Sequence, residues 1–159
     1  MNGQLKAYFR VQAVIAAAFN FFINGMIAGL IYHAAAEVPT NIISIAIDLI
    51  ITCLLTFTIT AFFVRAGLKS TKTAGILPPA NRFARFLARL FRAPLGFGVL
   101  MGLIVGVALF IVIGPAFTLA GISTLPFYIY VPAKSLFSML LGSGVTIIEM
   151  YAGMRKTEF

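Results

Sequence analysis

The stretch Thr40–Val64, TNIISIAIDLIITCLLTFTITAFFV, decides how this chain must be read. It is 25 residues long and carries one charge, Asp48. At ~1.5 Å of rise per residue, a helix of that length crosses the ~30 Å hydrocarbon layer of a bilayer. Its polar residues are not scattered. Asp48, Thr52, Thr56 and Thr60 recur at every fourth position, so a helix carries them on one face.

Working outward, three more runs have the same character: about 11–32, 94–117 and 132–152. Hydrophobic residues make up 61% of the 159-residue chain and charged residues 10%, against ~45–50% and ~25% in soluble domains. A soluble domain of this size has no interior large enough to hide that much apolar surface. Soluble enzymes, disordered chains and disulfide-stapled secreted modules are thereby excluded. The single cysteine, Cys53, can form neither an internal disulfide nor a zinc site and reads as a small core residue.

The expected fold is an all-α membrane protein: one four-helix transmembrane domain over residues 1–159, with spans about 11–32, 40–64, 94–117 and 132–152. Pro39 suits the start of the second helix. Short connections predict antiparallel neighbours, hence two helical hairpins. A signal peptide competes for the first run, with Lys6 and Arg10 as its basic head and Ala34–Ala36 as a cleavage site. Its apolar region would span only ~7–15 residues, so a retained helix is expected.

Orientation is read from Lys and Arg. Lys6 and Arg10 precede the first span. Arg65, Lys69, Lys72, Arg82, Arg85, Arg89 and Arg92 lie in the basic loop 65–93, which has no acidic residue, and Arg155 and Lys156 follow the fourth span. Lys134 and Glu37 fall on the other side. Both termini and the loop are expected in the cytoplasm, in a cytoplasmic (inner) membrane. Tyr8, Tyr32, Tyr128, Tyr130 and Tyr151 fall at or beyond the span ends, as interfacial aromatics do.

Within the loop, residues 79–92 form an amphipathic segment bounded by Pro78, Pro79 and Pro94. Arg82, Arg85, Arg89 and Arg92 take one side of a helix; Phe83, Phe86, Leu87, Leu90 and Phe91 take the other. Such a helix lies flat in the membrane interface. It serves as a binding site for anionic lipid headgroups or an acidic protein partner, or only as an anchor that fixes topology. Nucleic acid is not expected, because the basic residues adjoin apolar runs.

An internal echo joins the two halves. Residues 24–29 resemble 101–106, Val38-Pro39 resembles Val131-Pro132, and 66–69 resembles 152–155. Two hairpins entering from one side would be a parallel repeat about an axis along the membrane normal. Gly25 and Gly29, and Gly98, Gly102 and Gly106, are spaced for close helix packing. The third span is the expected seam of a homo-oligomer, with packing inside one chain as the alternative.

Polar groups inside apolar spans are costly and therefore informative. Beside the Asp48 stripe, Gln12, Ala16, Asn20 and Asn24 line one face of the first span, and Ser138, Gly142, Thr146 and Glu149 one face of the fourth. Asp48 and Asn24 lie at similar depth and are expected to face each other across the first hairpin. Asp48 reads either as a proton- or cation-binding carboxylate or as a hydrogen-bonded group joining helices. Threonines can also bond their own backbone four residues back. Glu149 is expected in an interfacial salt bridge with Arg155 or Lys156, or else as a second coupling carboxylate. Lys134 is expected to reach the headgroups. His33 and Glu37, four apart, can meet on one helical turn but make a weak metal pair.

No catalytic or cofactor-binding motif occurs, so neither an enzyme nor a cofactor or metal is expected. The functional expectation is a small transport protein that moves a solute or ion along a polar path, with Asp48, Asn20, Asn24, Thr52, Thr56 and Glu149 as binding residues. The alternative is a non-catalytic membrane subunit or scaffold that works through Arg82, Arg85, Arg89 and Arg92.

Overall fold

A computed structural model describes residues 3–71 and 82–155, with side chains from Ala7 onward. Seven elements follow in order: α1 (Gly3–Tyr32), β1 (Glu37–Pro39), α2 (Ile42–Ser70), α3 (Arg82–Leu90), α4 (Pro94–Leu119), β2 (Thr124–Pro126) and α5 (Phe127–Gly153). Four of the helices, α1, α2, α4 and α5, are long and apolar enough to cross a membrane. The chain is a multi-pass, all-α membrane protein. Pro78, Pro79, Lys72 and Lys156 lie outside the described residues.

Local chemistry sets the helix ends. Asn41 caps α2: its side chain accepts a hydrogen bond from the Ser44 amide at 3.0 Å. Pro39 therefore closes β1 and does not open α2. At the end of α4, Gly121 adopts φ +68°, which frees the Ile122 amide to bond Phe117 O and its own amide to bond Thr118 O, both at 3.1 Å. This is a Schellman cap, where a Cβ would strain the backbone. The last long helix begins at Phe127, ahead of the expected Pro132, which lies inside α5.

Packing departs from the hairpin expectation. The close pairs are α2 with α4 and α1 with α5, while α2 also packs along α5; α1 and α2 touch only marginally. The glycines are the reason. A Cβ on Gly98, Gly102 or Gly106 would lie 2.4, 2.7 or 3.0 Å from the Cα of Thr58, Leu54 or Ile50. Three glycines, each four residues apart, let α4 run antiparallel against the bare backbone of α2. The glycine stripe of the third span is therefore spent inside the chain and is not an exposed seam. Gly25 packs onto Ser135 of α5, whereas a Cβ on Gly29 would meet nothing.

The two connections at one end are tied together. β1 and β2 pair antiparallel, with Val38 opposite Leu125, and Val38 is fully buried. Thr40 extends the ribbon by bonding Ser123 O at 2.8 Å. At the other end, α3 closes the bundle with Leu87 and Phe91, which join Phe9, Leu68 and Met154 in the core. The helix is shorter than the expected segment, and its apolar side divides. Ala84, Leu87 and Ala88 are buried, while Phe83 and Phe86 point outward.

α1 seats on α5 and α4 seats on α2, so each outer helix packs on the inner helix of the other half. The strand prolines, Pro39 and Pro126, are the matching landmarks, in place of Pro39 and Pro132.

Candidate functional site

The seam between α2 and α5 brings together most of the expected site. Both helices leave the paired strands in the same direction, so they run parallel. Lys134 on α5 donates to Asp48 on α2 and forms an ion pair with it. Each lies about two turns inside its helix, ~10 Å below the first residue. Lys134 does not reach toward the headgroups: the early start of α5 places it too deep, and Asp48 lies within its reach. Asp48 accordingly faces Lys134 and not Asn24.

The pair is set in a pocket of about 200 Å³ beneath the ribbon, walled by α2, α4 and α5. Tyr130 lines this pocket beside Asp48. The Lys134 ammonium stands 5.8 Å from the Tyr130 ring centroid, and Tyr32 meets that ring edge-on at 5.5 Å. The lysine side chain is 11% exposed and that of Asp48 30%, so the pocket leaves the carboxylate open on one side.

Asp48 and Lys134 are 86 positions apart. Carried along two parallel helices, that offset puts Thr52 level with Ser138, Thr56 with Gly142, and Thr60 with Thr146. Every one of these residues is buried. The stripe on α2 and the stripe on α5 therefore form one polar seam, which ends at Glu149.

The third stripe joins from α1. Asn20 donates to Ala16 O at 2.9 Å, and Asn24 to Asn20 O at 3.2 Å. Both amides thus bond their own helix. The free side of Asn20 links helices, because its Oδ1 accepts from Thr56 at 3.4 Å and its amide lies over Gly142. A Cβ on Gly142 would stand 2.3 Å from that amide nitrogen. Beside this junction a cavity of about 260 Å³ opens between α1 and α2, with Asn20, Asn24, Thr56, Thr60 and Thr146 in its wall. Thr146 turns its hydroxyl to Gly142 O at 2.8 Å, the local backbone bond foreseen for threonines.

Glu149 differs from the interfacial salt bridge expected for it. The residue is 0% exposed, and neither carboxyl oxygen has a hydrogen-bond partner among the described residues. Arg155 bonds the Tyr151 hydroxyl and stacks on that ring at 4.0 Å. Ser138, also fully buried, has an unbonded hydroxyl among the described residues. At the ribbon end, His33 bonds Leu30 O at 2.8 Å and Glu37 belongs to β1, so they do not share a helical turn.

Lys134, Tyr130 and Tyr32 are the residues the sequence reading missed as site members. The signal was the run FYIYV before Pro132, which lengthens α5 and carries Lys134 inward. Comparison with protein-family models, with curated proteins and with solved structures returns no match, so the functional reading rests on this geometry.

Proposed function

We propose that this protein is a small membrane transport protein that moves a small solute or ion along the polar face shared by α1, α2 and α5. One observation carries the reading. Polar side chains follow one another along facing helices, from the half-buried Asp48 and Lys134 through the buried Thr56 and Asn20 to Thr146 and Glu149, beside a cavity. Polar groups at that depth are expensive in hydrocarbon, and rows of them mark pathways. Asp48 is the binding or coupling group in this reading, with Lys134 as its resting partner. A cargo engages Asp48 by displacing the ammonium. Asn20, Asn24, Thr52 and Thr56 line the way.

The proposal includes orientation. The described arginines of the loop, Arg10 and Arg155 all lie at the α3 end, while Lys134 is neutralised by its pairing. Positive charge at one end supports a cytoplasmic membrane with both termini inside.

The test is transient current from proteoliposomes challenged with pools of small organic ions, zwitterions and inorganic ions. At least one pool should evoke a current that Thr56→Val and Thr60→Val reduce. No current above empty liposomes for any pool would sink the transport reading. A second reading then takes its place, because Arg82, Arg85, Phe83 and Phe86 are exposed together on α3. In that case the protein is a non-catalytic subunit or scaffold that holds anionic lipid or a partner. Replacing Arg82, Arg85, Arg89 and Arg92 with Gln should then release it.

A further inference from the structure

We propose that Glu149 is a second site, separate from Asp48, where this protein takes up a single positive charge, a proton or an alkali cation. The inference extends the transport reading but needs no cargo to be tested.

Two carboxylates lie on the polar seam, and their surroundings are opposite. Asp48 has an ammonium as its partner and opens into a pocket. Its charge is already balanced. Glu149 is sealed from solvent, and neither oxygen has a donor among the described residues. An ionised carboxylate is costly in such a place, because burial removes its hydration and no donor among the described residues replaces it. A positive charge bound at the carboxyl resolves the conflict, and release of that charge restores it. The site is thus poised to respond to cation occupancy.

The surrounding groups leave the position to Glu149 alone. The described titratable and charged side chains at this end come from every element packed on α5: Tyr8 and Arg10 on α1, Arg65 and Lys69 on α2, Arg82, Arg85 and Arg89 on α3, and Tyr151 and Arg155 on α5 itself. None donates a hydrogen bond to Glu149. Arg65 bonds Arg92 O instead, and Arg155 bonds Tyr151. Glu149 also stands one helical turn from Thr146, which lines the cavity between α1 and α2. That places Glu149 one turn from a cavity of about 260 Å³ on the same seam.

Dicyclohexylcarbodiimide is the probe, because it modifies carboxyl groups in apolar surroundings. The full chain in lipid is reacted across a pH series, with sodium chloride or choline chloride at each pH, and adducts are located by mass spectrometry. Asp48 is the internal comparison, and Glu149→Gln confirms the site of modification. Glu149 should be modified in preference to Asp48. A rate that falls several-fold as pH rises, with sodium and choline alike, identifies a proton. A several-fold protection by sodium but not choline at fixed pH identifies an alkali cation. Modification that neither pH nor sodium alters overturns the proposal. So does a Glu149 that reacts only after denaturation in detergent, since the carboxyl then has no exchangeable occupant. Labelling is independent of flux. Loss of current with intact, protectable labelling defeats only the transport reading, and the reverse defeats only this one.

Discussion

Asp48 and Lys134 are ion-paired at matching places in the two halves of the chain, nine residues after Pro39 and eight after Pro126. The paired strands bring those two prolines to one end, and the parallel helices that follow carry opposite charges to the same depth. One link therefore fixes the register of α2 against α5.

Removing one partner should cost more than removing both. Lys134→Leu leaves the Asp48 carboxylate unpaired and is expected to destabilise the bundle by about 3 kcal/mol, whereas Asp48→Leu with Lys134→Leu should be close to neutral. Thermal unfolding can be followed with a thiol-reactive dye, because the one cysteine, Cys53, is fully buried. A double-variant loss equal to the sum of the Lys134→Leu and Asp48→Leu losses would show that the two groups are not coupled.

The glycines of α4 and α1 should behave differently. Gly102→Leu forces a side chain into the α2 backbone and is expected to cost about 2 kcal/mol or more. Gly29→Ala meets open space and should change stability by less than ~0.5 kcal/mol. Gly102→Leu should not alter the size of the protein–detergent particle, since the contact of Gly102 lies within one chain. A Gly102→Leu protein of unchanged stability but altered particle size would restore the third span as an interface between copies.

Asn20 joins Thr56 and Gly142 at the centre of the site. Thr56→Val removes one hydrogen bond and should cost ~1 kcal/mol. Gly142→Ala pushes the Asn20 amide aside and should break that same bond. The double variant is then less destabilised than the sum, by ~0.5 kcal/mol or more. Strict additivity in the same thermal assay would mean that the three residues act separately.

Phe86 lies on the outward side of α3. The chain has no tryptophan, so Phe86→Trp introduces a single emitter. If α3 rests in the interface, at ~5–10 Å into the headgroup boundary, shallow brominated lipids should quench this residue and deep ones should not. Phe22→Trp, on the outer face of α1, should show the opposite order. Quenching of Phe86→Trp by aqueous iodide alone would place α3 off the membrane.

The parts legible in sequence were those governed by the solvent. Four apolar runs and the polar stripes on 20 and 24, on 48 to 60 and on 138 to 149 follow from periodicity and from what hydrocarbon tolerates. Each stripe was found on its own helix, because the fourfold spacing is a property of that helix. Their partners were not legible. Chain adjacency points Asp48 to Asn24, and the basic residues after Glu149 point it to the interface, but neither signal carries the packing between helices.

Composition and periodicity suffice for four membrane helices and for the faces that avoid lipid. Which stripe meets which is set by how the helices pack. The reason is steric. Gly98, Gly102 and Gly106 admit the α2 backbone to a distance no other residue would allow, which commits α4 to α2 and leaves α5 for α1. That swap turns α2 and α5 into parallel partners, neutralises Asp48 with Lys134, and leaves Glu149 as the carboxyl without a hydrogen-bond partner among the described residues.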